Sequence, residues 1–432
     1  MQMVTALRSR ILVVVRSPTI RVAAMLALGG GAFALSNVIP ASLLSPAEFG
    51  RLALALALIQ VGATAAALGR PLLITRHALA PSGALLRSSI YWGIAGAFVT
   101  TCVAAAPYSL PWSTALLIGV CAGIAALTRI GSAFLQSQQQ LGYSIATMQS
   151  QNWVLLAAAG WVWLAGGSQT KVVLAVVLLG YITGSIVSWR QASHGATQRS
   201  ANETQPSASE RFSAVGLVVA GNVYLQLDRL IMGRVLSLDE LATYSIVAAI
   251  AGSTFRMLQL GAGFSLVPRL RAVRAVAEAA PVVHREALLL FAVAASAAIV
   301  VTVIVRLLFE FGLAQYSLPS GLLPAVVAVG VIRIWQALAA SVVTALGGPR
   351  ELLISSVCAW VSIVLSIVCA LRMTGLGSVG VVYGIAVGSL VNALTASVLA
   401  RATLRRLASG SSRACVSSSD LHHSSINSKV HR

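Results

Sequence analysis

Charge is scarce in this chain. Acidic residues number 11 in 432, and charged residues of both signs make up 9%. A soluble domain carries about 25%, so a solvated globular protein is excluded and a membrane protein remains. Histidine is equally rare, with 6 residues and none inside an apolar run. The five cysteines (Cys102, Cys121, Cys358, Cys369, Cys415) lie far apart, without metal-ligand or disulfide spacing. No metal or other cofactor is therefore expected. The chain also lacks a basic recognition helix and an aromatic–basic stripe. Its formal charge of +19 thus does not point to nucleic acid, because the arginines sit at the ends of apolar runs or within them.

Apolar runs fill most of the chain, which is 57% hydrophobic. A transmembrane helix needs about 20 apolar residues. Twelve runs qualify: 22–44, 51–75, 88–107, 112–132, 145–166, 171–189, 212–236, 241–267, 286–309, 320–346, 351–371 and 376–400. With the N-terminus in the cytoplasm, 21 lysines and arginines fall on the cytoplasmic side and 3 on the other. That asymmetry predicts an inner-membrane protein with both termini cytoplasmic. The resulting organisation is an N-tail (1–21), a six-helix lobe (22–189), a polar cytoplasmic linker (190–211), a second six-helix lobe (212–400) and a serine-rich tail (401–432) expected to be disordered. Even helix numbers give both lobes one orientation, so the pseudo-two-fold axis runs along the membrane normal.

The halves carry a trace of duplication. Moving residues 22–77 forward by 192 places them on 214–269 without a gap. Gly29 then meets Gly221, Leu44-Ser45 meets Leu236-Ser237, Glu48 meets Glu240, and Leu68-Gly69 meets Leu260-Gly261. Under the same shift Asp228, Arg229 and Arg256 replace Ser36, Asn37 and Thr64. A lopsided cavity is expected, with its anion-binding groups in the second lobe.

Arg129 falls near the cytoplasmic exit of the fourth run and is counted on that side. Six further arginines lie within the apolar runs: Arg70, Arg229, Arg234, Arg256, Arg306 and Arg333. A charge at the centre of a membrane helix costs about 2.5–3.5 kcal/mol and usually faces a cavity. Helical spacing places Asn222, Gln226, Arg229 and Gly233 on one face, and Ser245, Gly252, Arg256, Gln259 and Gly263 on another. Arg333 leads a third stripe, with Gln336 beside it. Small residues on such faces also serve helix packing. The candidate cavity residues are Arg333, Arg256, Arg229, Asn222, Gln226, Gln259 and Gln336. Asp228, the one acid deep in a run, is either a coupling site or half of an ion pair. Arg306 has Glu310 one turn away, which suggests a pair or a snorkelling side chain. Arg70 and Arg234 lie close enough to helix ends to snorkel.

The segment Leu43-Leu44-Ser45-Pro46-Ala47-Glu48-Phe49-Gly50-Arg51, with Leu68-Gly69-Arg70 after it, resembles the first hairpin of Wzx-type oligosaccharide flippases. These belong to the MATE-like multidrug/oligosaccharidyl-lipid/polysaccharide superfamily. Leu227-Asp228-Arg229-Leu230-Ile231-Met232-Gly233, then Tyr244 and Pro268, are similar to that family's seventh and eighth helices. Gln138-Gln139-Gln140 replaces a Gly-Arg that the family carries after helix four. The resemblance implies a transporter, not an enzyme. It would flip a polyprenyl-pyrophosphate-linked oligosaccharide from the cytoplasmic to the outer leaflet by alternating access, for surface polysaccharide synthesis. A polysaccharide polymerase and export machinery are the implied protein partners.

Two alternatives stand beside this reading. An ion-coupled multidrug exporter of the same superfamily would want carboxylates in its cavity. A membrane-embedded glycan polymerase or ligase would want a catalytic acid or base on a sizeable outer loop, and these loops are short. The major facilitator superfamily expects an acidic–basic motif between helices two and three, where 76–87 contains no acid.

Overall fold

The computed structural model describes residues 18–77, 79–165, 170–195, 206–272, 276–313 and 315–427. The chain is all-α. The first half holds α1 (Pro18–Leu43), α2 (Pro46–Ala66), α3 (Arg70–His77), α4 (Gly83–Ala105), α5 (Trp112–Ser137), α6 (Leu141–Met148), α7 (Ser150–Ala165) and α8 (Thr170–Gly195). The second holds α9 (Ala208–Val235), α10 (Leu238–Val247), α11 (Ser253–Ala272), α12 (Val276–Phe311), α13 (Leu322–Leu346), α14 (Pro349–Arg372) and α15 (Gly377–Asn427). A π turn, Ala248–Gly252, joins α10 to α11.

Among the described residues, ten helical segments are long and apolar enough to cross a membrane, so the chain is a multi-pass membrane protein. The other two expected runs differ. Run 22–44 falls on α1, of which the described residues hold the apolar segment Leu28–Leu43. Run 145–166 is split between α6 and α7 at Gln149. Residues 196–205 of the linker lie outside the described residues. At the C-terminus the backbone of α15 is helical to Asn427.

The turns that carry the duplication are helix starts. Ser45 and Ser237 cap α2 and α10, accepting from the backbone N–H of Glu48 at 3.3 Å and of Glu240 at 3.2 Å. Each glutamate thus sits in the first turn, at the positive end of the helix dipole. The packing repeats as well. α1 lies on α7 as α9 lies on α14. α2 lies on α5 as α11 lies on α13. α5 lies on α8 as α13 lies on α15. Between the halves, α2 packs on α9 and α10, and α1 on α11. One apolar core runs through both halves, from Leu44, Phe49 and Leu58 to Leu227, Leu241 and Ile246.

The duplicated Leu-Gly pair behaves differently in the two copies. Leu68 and Gly69 have φ of 49° and 66° and break α2 from α3. Leu260-Gly261 continues inside α11. A Cβ on Gly69 would sit 2.6 Å from the backbone nitrogen of Val215, so glycine is what lets the break press against α9.

At the end of the bundle holding the Ser45 and Ser237 turns, the halves are sealed. A Cβ on Gly50 would lie 2.2 Å from the Leu238 carbonyl oxygen. Two tyrosines cross the seam there. Tyr108, between α4 and α5, donates to the Leu230 carbonyl of α9 at 3.2 Å. Tyr316, between α12 and α13, donates to the Ala41 carbonyl of α1 at 3.0 Å. At the opposite end, Glu210 at the start of α9 bridges Arg76 Nε at 2.8 Å and His77 Nε2 at 2.9 Å, both on α3.

Candidate functional site

Two adjoining cavities lie between the halves. The larger, about 320 Å³, is lined by α1, α2, α5, α7, α8, α9 and α11. It reaches toward the end where α2 finishes and α9 begins. At about 30 Å³ per water, it would hold on the order of ten waters. The smaller, about 40 Å³, lies in the second half against α9, the π turn, α11 and α13. Arg229, Arg256, Ser253, Leu225 and Phe33 line both.

Most of the sequence-derived candidates meet here. Asn222 and Gln226 line the larger cavity, Arg229 and Arg256 line both, and Asp228, Gln259 and Arg333 line the smaller. Gln336 lines neither. Of the α9 stripe, Gly233 instead admits Leu54, whose Cδ1 would lie 2.8 Å from a Cβ at that position. The second stripe is interrupted. The π turn lies between Ser245 and Arg256, so Gly252, Arg256 and Gln259 line the smaller cavity while Ser245 is buried away from it. π turns are rare and frequent at functional sites.

Backbone carbonyls of α9 position the arginines. Arg333 Nη2 donates to the Tyr224 carbonyl at 3.0 Å, and its guanidinium carbon lies 5.6 Å from the Tyr224 ring centroid. Arg333 Nε is buried without a partner. Arg256 Nη2 donates to the Leu225 carbonyl at 3.3 Å, and Arg229 Nη1 to the Gln226 side-chain oxygen at 3.4 Å. Every one of these partners is neutral, so the guanidinium charges are held in place without being cancelled.

Asp228 is not paired with them either. Its carboxylate accepts from the Tyr244 hydroxyl and, at 2.8 Å, from the backbone N–H of Arg229. Among the described residues it forms no ion pair. The ion pair that the sequence allowed is not formed, and the Tyr244 hydroxyl, reaching over from α10, holds the carboxylate instead. The outlying arginines also sort themselves. Arg70 donates to Ser89 and Ser88, each at 2.7 Å, so it ties α3 to α4 and does not snorkel. Arg306 and Glu310 are both exposed and unpaired with each other, which leaves snorkelling for Arg306.

The cavity is less lopsided than the duplication implied. Arg129, expected at the cytoplasmic exit of its helix, lines the larger cavity from the first half. Its two Nη atoms donate to the side-chain oxygens of Thr64 and Gln60. Gln60 is itself held by Gln151 at 2.7 Å, and Tyr181 donates to that same Gln151 oxygen. The expected helix end at 132 was too early. α5 runs to Ser137 and closes with Gln140 N–H on the Leu135 carbonyl (2.9 Å) and Gln139 N–H on the Gln136 carbonyl (3.0 Å), the paired bonds of a Schellman cap. At about 1.5 Å per residue, Arg129 therefore sits about 12 Å inside the helix. The counterparts Ser36 and Asn37 bond back to the Phe33 carbonyl at 2.8 and 2.7 Å and are buried.

No family model matches the chain, and no curated protein matches its sequence. Solved structures do match. An inward-facing multidrug resistance MATE family transporter of the MOP superfamily aligns over 88% of this chain and 95% of its own, with TM-score 0.57 and 14% identity. The lipid II flippase MurJ, in an inward closed conformation, aligns over 90% of both chains with TM-score 0.57 and 8% identity. A MOP superfamily transporter from Pyrococcus furiosus aligns over 90% of this chain and 96% of its own, with TM-score 0.52 and 15% identity. That structure is described by a reverse polarity of its binding pocket, suggesting a different function. These neighbours are transporters, and at such identities the likeness concerns architecture: the chain has the MATE-like fold of MOP superfamily transporters.

Proposed function

We propose that this protein is a Wzx-type flippase that moves a polyprenyl-pyrophosphate-linked oligosaccharide across the inner membrane by alternating access. The observation that carries the reading is the charge of the cavities. Among the described residues, Arg229, Arg256 and Arg333 line the smaller and Arg129, Arg229 and Arg256 the larger, against one carboxylate that is bound to a tyrosine hydroxyl. Guanidinium forks make bidentate, charge-assisted bonds to phosphate oxygens. A cation exporter would need the opposite balance. Resemblance to MurJ, a lipid II flippase, supports a lipid-linked cargo, and the Pyrococcus furiosus structure supports a fold in which pocket polarity varies.

The repeated packing of α1 on α7 and α9 on α14 supports two six-helix lobes, twelve spanning helices in all, related by an axis along the membrane normal. The positive-inside asymmetry supports cytoplasmic termini and thus an inward-facing cavity sealed at the outer end. A polysaccharide polymerase and export machinery are the partners this role would bring.

The test is export of the glycan, or flipping of a labelled lipid-linked oligosaccharide in liposomes, by Arg256→Ala and Arg333→Ala variants that still reach the membrane. Each is expected to abolish transport, and Arg→Lys to restore it only partly because the planar fork is lost. Normal transport by both alanine variants would overturn the proposal.

A further inference from the structure

Arg129 stands apart from the other cavity arginines. Arg229, Arg256 and Arg333 belong to the second half and surround the smaller cavity, Arg229 and Arg256 reaching the larger as well. Arg129 faces the larger one from the first half, among Gln60, Gln136, Gln149, Gln151, Asn152 and Asn222. Its neighbours are thus amides and hydroxyls, the groups that bind sugar hydroxyls through neutral hydrogen bonds.

Its guanidinium is built into place. Thr64 and Gln60 of α2 accept from its two Nη atoms, and Gln60 is fixed through Gln151 of α7, which also accepts from Tyr181 of α8. Two of five guanidinium N–H donors are thereby used, and the others remain for a ligand. Among the described residues no carboxylate forms an ion pair with it. A cation held rigidly in a membrane cavity by neutral partners calls for an anion from the cargo.

The charge balance says which part of the cargo supplies it. Four arginines less one aspartate leave three positive charges on the cavity walls. A pyrophosphate diester brings one negative charge on each phosphorus, which leaves one cation unmatched. The arginines of the second half suffice for the pyrophosphate, and Arg129 lies among the sugar-binding groups.

Resting on the flippase reading, we infer that Arg129 is a specificity-determining residue for a carboxylate-bearing sugar, such as a hexuronic acid, in the oligosaccharide. The bond formed is a charge-assisted hydrogen bond from the free edge of the guanidinium to the sugar carboxylate. Thr64, Gln60, Gln151 and Tyr181 position it.

The experiment compares binding of three probes to the full-length protein in nanodiscs: polyprenyl pyrophosphate, a polyprenyl-pyrophosphate disaccharide containing glucuronic acid, and the same disaccharide with glucose in its place. The wild type is expected to bind the glucuronyl probe roughly tenfold or more tighter than the glucosyl one, the scale of one charge-assisted hydrogen bond. Arg129→Gln is expected to erase that preference while leaving affinity for polyprenyl pyrophosphate within about twofold. Arg256→Gln is expected to weaken all three. Equal binding of the two disaccharides by the wild type overturns the inference and leaves the flippase reading standing, and so does a preference that survives Arg129→Gln. Failure of the wild type to bind any of the three overturns both. The wild-type comparison needs no variant, so a poorly folding Arg129→Gln does not remove the test.

Discussion

Asp228 is held by a phenol, and this fixes what its replacement should do. The carboxylate is 8% exposed and faces Tyr244, with no guanidinium paired to it. Asp228→Asn therefore leaves no orphaned partner charge, which is the usual reason such variants unfold. The variant is expected to fold and to flip cargo, but to lose the dependence of flipping on an imposed proton or sodium gradient. Tyr244→Phe is expected to weaken that dependence in the same direction. Liposome flipping assays with and without each gradient would check this. Unchanged gradient dependence in Asp228→Asn would place the driving ion elsewhere. A second residue-scale expectation concerns Gln139, whose φ of 61° costs a side chain about 1–2 kcal/mol. Gln139→Gly is expected to raise thermal stability by up to about 1 kcal/mol, after the entropy that glycine loses on folding. The position fits the sequence observation that the resembled family carries Gly-Arg there. Arg229, Arg256 and Asp228 were legible because they interrupt long apolar runs. Arg129 was not, because its depth depends on a cap made by three glutamines, which have no composition signal for helix ending.

At the scale of elements, each departure from a straight helix lies beside the cavity. α2 breaks from α3 at Leu68-Gly69, α6 from α7 at Gln149, and the π turn separates α10 from α11. Hydropathy alone makes each of these a continuous run, since apolar residues are compatible with any of the three backbones. The breaks bring polar groups inward: Gln149 and Asn152 line the larger cavity at one, Ser253 and Arg256 follow another. α3 then returns to the second half through Glu210. Arg76 reaches both that carboxylate and the Gly347 carbonyl, at 3.4 Å, so one side chain touches the start of α9 and the end of α13. Glu210→Gln is expected to lower stability by about 1 kcal/mol, the scale of a partly buried charged hydrogen bond. Arg76→Ala should do the same, and the double variant should add little, giving a coupling of at least about 0.5 kcal/mol in a double-mutant cycle. Strict additivity by thermal unfolding of the purified protein would show that the contact carries no energy.

The whole molecule is organised as two copies of one packing scheme, and the seam between them is where the proposed alternating access would act. The 192-residue shift shows the copies through α1, α2, α9 and α10, but a further signal lies outside that window. Tyr108-Ser109-Leu110-Pro111 recurs as Tyr316-Ser317-Leu318-Pro319. Each tetrapeptide lies between the third and fourth helices of its half. Each tyrosine donates to a carbonyl near the end of the other half's first helix, Leu230 for Tyr108 and Ala41 for Tyr316. The two hydrogen bonds are therefore counterparts across the seam, their acceptors three residues apart under the 192-residue shift. Burial raises the pKa of both tyrosine hydroxyls, so both remain donors above the pH at which a free tyrosine ionises. At about 0.5–1.5 kcal/mol each, the pair contributes about 1–3 kcal/mol to the sealed state, a shift of roughly 5–150-fold in the conformational equilibrium. Tyr108→Phe/Tyr316→Phe, in a background lacking native cysteines, is expected to increase labelling of a cysteine at Asn222 by an impermeant thiol reagent added outside the cell. Tyr108→Phe alone should give the larger part of that increase, because the Ala41 carbonyl keeps a cross-seam donor in Gln315 Nε2 at 2.7 Å when Tyr316 is replaced. Labelling equal to that of the unsubstituted background would mean that the seam is held by its apolar core, from Phe49 and Leu52 to Leu241, and that the tyrosines do not gate it.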